Sequence, residues 1–166
     1  MKTLADIKKI AVLGAGTMGP GIAQTYAMGG YNVTMWTRSE STREKAIASL
    51  KSQLRTFAEE GEIKENEVDE IFGRINFALT VEEAVEGADF IQETIVENRD
   101  AKVALYEQLA ACVPSDVIIA SNTSAMNIFE VVPEKLLPQQ IICHWYAPPQ
   151  LIPLVEVVKS EQAPQE

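Results

Sequence analysis

A glycine-spaced segment near the N-terminus has the residue types that can hold a diphosphate. It has the form G-x-G-x-x-G and reads Gly14-Ala15-Gly16-Thr17-Met18-Gly19. Gly14 permits a tight turn, Gly16 lets the backbone approach a pyrophosphate, and Gly19 allows a helix to pack closely on the preceding strand. The N–H groups and the dipole at a helix N-terminus favour negative phosphates. The pattern therefore predicts dinucleotide binding by these six residues, and the alternative is a merely structural glycine turn.

The end of the second apolar run is the position that distinguishes NAD from NADP. An acidic residue usually stands there, roughly 20 residues beyond the glycines, and binds the ribose 2′-hydroxyl of NAD. This chain has Thr37, Arg38 and Ser39 instead. An arginine flanked by hydroxyl groups suits a 2′-phosphate, whereas Arg38 could equally be an exposed residue beside a helix cap. NAD and NADP both stay open at this point.

The elements that must position these residues follow from the hydrophobic pattern, in which short apolar runs alternate with helical periodicity. Strands are predicted over 7–13, 33–36, 75–78, 89–93, 117–120, 140–144 and 154–158. Helices are predicted over 17–28, from a Ser39 cap to about 57, and over 65–72, 81–85 and 99–112, with one or two helical turns over 126–131. Strands that alternate with helices pair in parallel through right-handed crossovers. The predicted fold is α/β, a Rossmann-type doubly wound, mostly parallel sheet with helices on both faces.

Composition excludes several classes of partner. The 166 residues carry a net charge of −10 and no cluster of Lys or Arg, which disfavours nucleic acid. No apolar stretch approaches the roughly 20 residues that span a bilayer, and residues 1–6 lack the apolar region of a secretory signal. Cys112 and Cys143 lie in apolar runs and are expected to be buried free thiols, typical of a reducing compartment. We therefore expect a cytoplasmic protein without a membrane or nucleic-acid partner.

Three later segments give the glycine pattern a family context. The chain continues after Gly19 as Pro20-Gly21-Ile22-Ala23-Gln24, and further along come Glu93-Thr94-Ile95-Val96-Glu97-Asn98, Ser121-Asn122-Thr123-Ser124, and His144-Trp145-Tyr146-Ala147-Pro148-Pro149 before the run 154–158. In order and spacing, essentially the whole chain resembles the N-terminal NAD-binding domain of the 3-hydroxyacyl-CoA dehydrogenase family. This resemblance implies oxidation of a secondary 3-hydroxyl to a ketone, with hydride transfer to NAD or NADP.

The resemblance also implies roles for three polar residues. His144 would be the general base, Glu156 would orient it and stabilise its charged form, and Ser124 would hydrogen-bond the reacting oxygen. The chemistry agrees, because a secondary alcohol that loses hydride must also lose its proton, and imidazole suits that transfer. A carboxylate paired with the imidazole fixes its tautomer. Three further residues match family positions near the cofactor, namely Glu97, Lys102 and Asn122, and no metal site is predicted.

Several departures leave the substrate open. The family has Asn three residues after the catalytic His, where this chain has Ala147, and positions that contact CoA in the family are Gln53 and Glu60 here. The pattern also resembles relatives that oxidise carnitine or gulonate. The three hypotheses are therefore an acyl-CoA dehydrogenase, a dehydrogenase for a small polar 3-hydroxy substrate, and a non-catalytic module that senses dinucleotide.

The end of the chain loses its apolar periodicity. We expect a dinucleotide-binding domain over 1–158 and a linker over 159–166 leading to an absent C-terminal helical domain, which the resemblance implies. That domain would supply another catalytic Asn, most of the acyl pocket and the dimer interface. The full-length protein is thus expected to be a homodimer. The fragment alone is expected to be monomeric or a weak dimer, to bind dinucleotide and to turn over little.

Overall fold

Within the part of the chain that the computed structural model describes, residues 3–163, seven strands form one sheet. They are β1 (Lys9–Leu13), β2 (Asn32–Trp36), β3 (Ile75–Ala78), β4 (Phe90–Glu93), β5 (Ile118–Ser121), β6 (Gln140–Trp145) and β7 (Val155–Lys159). Their order across the sheet is β3-β2-β1-β4-β5-β6-β7. All neighbours pair in parallel except β6 and β7, which pair antiparallel. The predicted mostly parallel sheet is confirmed.

The helices fall close to their predicted positions. They are α1 (Gly19–Met28), α2 (Glu40–Glu59), α3 (Glu67–Gly73), α4 (Val81–Val85) and α5 (Arg99–Cys112). The Ser39 side chain accepts a hydrogen bond from Thr42 N and begins α2, and the Thr80 side chain accepts from Glu83 N and begins α4. Because Ser and Thr hydroxyls satisfy amides that lack a partner in the first turn, both helix starts are explained locally.

The helices cover both faces of the sheet, as the doubly wound fold requires. One buried cluster packs the strands against α4 and α5 and includes Leu13, Ile91, Leu105, Tyr106 and Ile119. The other packs them against α1 and α2 and includes Val12, Ile22, Val33, Met35 and Leu50. Both faces of the central strands are therefore buried, which is why these strands read as continuous apolar runs. The chain turns to opposite sides of the sheet after β1 and β4, and a crevice between such strands is where open α/β sheets bind ligands.

The structure departs from the sequence predictions at a few positions. The turns predicted over 126–131 are a 3₁₀ segment at Ile128–Glu130, and a second one at Glu134–Gln139 was not predicted. The expectation that both thiols are buried is wrong for Cys112, which is exposed at the last residue of α5, whereas Cys143 is buried.

The predicted linker begins inside the sheet. β7 includes Lys159, and Ser160 is buried and donates a hydrogen bond to Leu137 O. The rest of that segment from 164 onwards lies outside the described residues. None of the helices within residues 3–163 combines the length and apolar character needed to cross a bilayer.

Candidate functional site

In the glycine turn after β1, two glycines are closely surrounded by other atoms and the third faces free space. Gly14 has φ +122°, and a Cβ on it would lie 2.9 Å from Thr94 O. A Cβ on Gly19 would lie 1.9 Å from Gly14 O, whereas one on Gly16 would meet nothing within 4 Å. Gly14 and Gly19 are thus required by packing, and Gly16 faces free space at the start of α1. The free space at Gly16 forms a cradle that a pyrophosphate can enter, and a side chain at this position would occupy that space.

The three residues between the glycines are placed around this space. Thr17 is exposed at the tip of the turn, and Ala15 and Met18 pack partly against the α1 side of the core. The first backbone hydrogen bond at the start of α1 runs from Ile22 N to Met18 O. The preceding amides therefore lie before the helical ladder, where they are available to an anion.

A cleft of about 620 Å³ continues from the turn. It is lined by the glycine turn, by Trp36 at the end of β2 and Arg38 after it, and by the α5 residues Ala101, Ala104, Leu105 and Gln108. Its size lies within the range of small-molecule sites, and its walls are largely apolar. Arg38 is exposed at its rim, as both sequence interpretations allow.

Thr37 is oriented away from this cleft. It is buried, and both its N–H and its hydroxyl donate to Ala78 O of β3, at 2.9 and 3.4 Å. Of Thr37, Arg38 and Ser39, the three residues singled out after β2, only Arg38 lines the cleft.

A buried ion pair lies behind the cleft that continues from the glycine turn. Lys102 Nζ lies 2.7 Å from both carboxylate oxygens of Glu93, and both side chains are almost fully buried, with exposures of 1% and 0%. Glu93 also accepts from Ser121 Oγ at 2.5 Å and from Ile95 N at 2.8 Å. Sequence reasoning assigned no role to Glu93 or Ser121. The available signal was a carboxylate at the end of a buried strand, nine residues before a lysine on the following helix.

Glu97 connects this pair to the loop that carries Ser124. Its carboxylate lies 3.7 Å from Lys102 Nζ and accepts hydrogen bonds from the Thr123 hydroxyl and from Met126 N. Partial burial alone would raise the pKa of Glu97, but the Thr123 hydrogen bond, Lys102 and two backbone amides together lower it. Glu97 is therefore an anion that fixes the geometry of residues 123–126.

Asn122 ties the end of β5 to β6. Its side-chain Oδ1 accepts a hydrogen bond from Trp145 N at 2.8 Å, beside His144. This contact holds the backbone next to the predicted base.

His144 and Glu156 form the polar pair that the sequence predicts. They are directly opposite each other in the β6–β7 register, and His144 Nδ1 lies 2.9 Å from Glu156 Oε2. The hydrogen bond with His144, followed by one from Tyr146, lowers the pKa of Glu156. A second cleft of about 620 Å³ contains both residues together with Thr123 and Ser124. Ser124 is exposed within it, so the three predicted catalytic residues share one cavity.

The positions that depart from the family pattern, Gln53, Glu60 and Ala147, line neither of the two clefts. Gln53 Nε2 donates to Ser49 Oγ along α2, and Glu60 is exposed at the end of that helix. Ala147 follows β6 and is exposed. Residues 3–163 contain no group of three or more His, Cys, Asp or Glu side chains placed to hold a metal ion.

Comparisons with known proteins give a consistent result. The family model described as "3-hydroxyacyl-CoA dehydrogenase, NAD binding domain" matches residues 9–166. A Bacillus subtilis protein named "Probable 3-hydroxybutyryl-CoA dehydrogenase" is 40% identical over 93% of this chain and 54% of its own length. An L-carnitine dehydrogenase from Streptomyces coelicolor is 31% identical over 98% of this chain and 50% of its own.

A solved structure agrees with these sequence relatives. The (S)-3-hydroxybutyryl-CoA dehydrogenase of Ralstonia eutropha superposes with a TM-score of 0.89 at 31% identity, over 96% of this chain and 56% of that one. The chain spans about half the length of the curated relatives it matches.

Proposed function

The chain belongs to the 3-hydroxyacyl-CoA dehydrogenase family as its NAD-binding domain, and on this premise we propose that it supplies the cofactor site and the proton-transferring residues for oxidising a secondary 3-hydroxyl group to a ketone. The observation that carries the proposal is the 2.9 Å contact between His144 Nδ1 and Glu156 Oε2 in a cleft shared with Ser124. When bound, NAD supplies the acceptor for the hydride.

The geometry of the pair suits a general base. Glu156 accepts a hydrogen bond from Nδ1–H, which leaves the Nε2 lone pair of His144 to take the hydroxyl proton of the substrate. Glu156 then stabilises the imidazolium that forms, and its lowered pKa keeps it ionised at neutral pH. The Ser124 hydroxyl, in the same cleft, is placed to hydrogen-bond the reacting oxygen. A positioned base of this kind contributes about 10²- to 10⁴-fold to a rate.

The cofactor-side residues divide into two groups in this proposal. Residues 14–19 hold the pyrophosphate, because Gly16 leaves the cradle open. Arg38 lies at the rim of the cleft, where the adenosine ribose would lie. Glu97 and Asn122 shape the nicotinamide end through their contacts with the 123–126 loop and with β6. Lys102 is buried, so it acts through Glu93 at 2.7 Å and Glu97 at 3.7 Å. Thr37 supports the end of β2 through Ala78.

The substrate is proposed to be a 3-hydroxyacyl-CoA, as in the relatives named as 3-hydroxybutyryl-CoA dehydrogenases. A second candidate is a small polar 3-hydroxy compound, because the positions that contact CoA in the family are here the negative Glu60 and Gln53, which donates to Ser49. The similarity to an L-carnitine dehydrogenase supports this alternative. A purely sensing module is disfavoured by the intact His144–Glu156 pair.

The test measures binding and chemistry separately. Calorimetry with NAD is expected to show binding by the chain and by a His144→Ala variant. A single-turnover experiment, with protein in excess over 3-hydroxybutyryl-CoA or carnitine, then follows NADH absorbance. The wild type is expected to form NADH with the acyl-CoA substrate at a rate that His144→Ala lowers at least 10²-fold. Failure to bind NAD, or equal rates in both proteins, would contradict the proposal.

We propose that the full-length protein is a homodimer and that this half alone is a monomer or a weak dimer. Light scattering of the chain at several concentrations tests this, and a stable dimer would contradict it.

A further inference from the structure

Tyr146 lies on the same face of the sheet as the His144–Glu156 pair. Side chains two residues apart in a strand point to the same side, so Tyr146 follows His144 on that face. Tyr146 N donates to Leu154 O at 3.5 Å, which extends the β6–β7 register by one step beyond Trp145 and Val155. Glu156 is therefore directly opposite His144 and diagonally opposite Tyr146, within reach of an aromatic side chain.

The side chains meet as this register predicts. The rings of His144 and Tyr146 have centroids 5.1 Å apart and planes inclined at 43°. The Tyr146 side chain acts on the Glu156 carboxylate, which also holds His144 Nδ1, and the two groups shift each other's pKa. One carboxylate thus has an imidazole partner on β6 and a phenol in reach in the segment that follows it.

We propose that Tyr146 is a positioning residue for this pair, whose hydroxyl donates to Glu156 and holds the carboxylate, ionised, against His144 Nδ1. The inference rests on the proposed function, because it assumes that the pair carries the substrate proton. A second partner restricts the glutamate further, since its side chain is 56% exposed on an edge strand and already contacts His144.

The direction of donation follows from charge. The hydrogen bond to Glu156, and then the negative charge of that carboxylate, raise the pKa of Tyr146. The phenol therefore keeps its proton at neutral pH and donates it. Conversely, His144 and then Tyr146 lower the pKa of Glu156. Among the described residues these two are the groups that act on Glu156, one from β6 and one from the segment after it.

The single histidine of the chain makes this testable by NMR. The ring signals of His144 are followed against pH, and a second, acidic inflection reports protonation of Glu156, which Glu156→Gln identifies by removing it. Tyr146→Phe keeps the ring and removes only the hydroxyl, so a packing role would survive. We expect this variant to move the acidic inflection to higher pH, because the carboxylate loses one donor. The matched control is Tyr31→Phe, which is expected to leave it in place.

A second measurement does not depend on the Tyr146 variant folding. The pKa of Tyr146, taken from tyrosinate absorbance, is expected to fall in Glu156→Gln. Unchanged values for the acidic inflection in Tyr146→Phe, or for the phenol in Glu156→Gln, would overturn the inference. If instead Glu156→Gln leaves the His144 signals unaltered at every pH, the His144–Glu156 pair itself fails and the proposed function fails with it.

Discussion

At the scale of single residues, the glycines of the turn differ in what a side chain would meet. A methyl group on Gly16 enters open space, whereas one on Gly19 would lie 1.9 Å from a backbone oxygen of Gly14. Gly16→Ala is therefore expected to leave the fold intact and to weaken NAD binding about tenfold or more, since it occupies the space of the pyrophosphate. Calorimetry with NAD and urea unfolding measure the two effects.

The control for this prediction is Gly19→Ala. Its methyl group cannot be accommodated without moving the turn, so we expect lost stability as well as lost binding. Full NAD affinity in Gly16→Ala would show that the phosphates do not lie over this residue.

Arg38 is the residue that would distinguish NADP from NAD in the sequence-based hypothesis. It lies exposed at the rim of the cleft that begins at the glycine turn. If it pairs with a 2′-phosphate, Arg38→Ala should weaken NADP binding about tenfold or more, which is the size of one charge-assisted hydrogen bond, and leave NAD affinity unchanged. Arg55→Ala, on the outer side of α2, is the matched control. Equal affinities for NADP before and after the substitution would show that Arg38 is only a surface residue beside the cap.

The residues that sequence reasoning missed share one property. Glu93 and Tyr146 act through partners on other elements, and those partnerships depend on strand register and on how α5 packs. A local pattern shows a carboxylate after a strand or an aromatic after a histidine, but not what faces it. Thr37 shows the converse, because its position beside the cleft was predictable and its turn toward Ala78 depends on the neighbouring strand.

At the scale of elements, the Glu93–Lys102 pair joins β4 to α5, and Ser121 joins it to β5. Lys102→Met would leave a buried carboxylate without its cation, and such losses cost roughly 3–5 kcal/mol. We expect urea denaturation to show a loss of unfolding free energy of that order. Much of it should be recovered when Lys102→Met is combined with Glu93→Leu. The exposed pair of Arg43 and Glu40 is the control, because breaking it costs about 1 kcal/mol or less. A Lys102→Met protein as stable as the wild type would mean that the pair contributes nothing to the fold.

Glu97 gives the 123–126 loop a dependence on pH. Because its pKa is lowered in the folded protein, its stabilisation is complete above the ordinary value of 4.5 and is lost as the pH falls through the lower, folded value. The hydrogen-exchange protection factors of this loop, which correct for the slower intrinsic exchange of amides in acid, should therefore fall as the pH is lowered in the wild type. Glu97→Gln should show the low protection already at neutral pH, and the exposed Glu107→Gln on α5 should not. A loop equally protected in Glu97→Gln would contradict this.

How well each element could be predicted depends on how local its determinants are. The bounds of α4 and α5 match the prediction because each has a side-chain cap, Thr80 in one case and Asn98 in the other. The end of β6 lies one residue beyond the predicted end, because Trp145 is held by hydrogen bonds to the distant Gln92 and Asn122. The unpredicted 3₁₀ segment contains Pro138, a residue that argues against any helix when read locally.

At the scale of the whole molecule, cofactor binding and turnover should separate. The cradle and its cleft lie entirely within residues 14–108, whereas the cleft that holds Ser124, His144 and Glu156 opens beside β7, where Val157 is 65% exposed. Saturation with NAD at 100 times its Kd should stabilise the chain by roughly 2.7 kcal/mol. For a chain of this size that corresponds to a rise in Tm of roughly 5–10 °C.

Little steady-state turnover is expected even where NAD binds, because the relatives named as 3-hydroxybutyryl-CoA dehydrogenases are about twice as long as this chain. Thermal unfolding with NAD and steady-state NADH formation with 3-hydroxybutyryl-CoA, measured on the same preparation, compare the two. Gly16→Ala should lose the thermal shift, which assigns it to the cradle. Rapid steady-state turnover by these 166 residues would show that they complete the active site unaided. The absence of a thermal shift with NAD would contradict cofactor binding at the glycine turn, whatever the substrate.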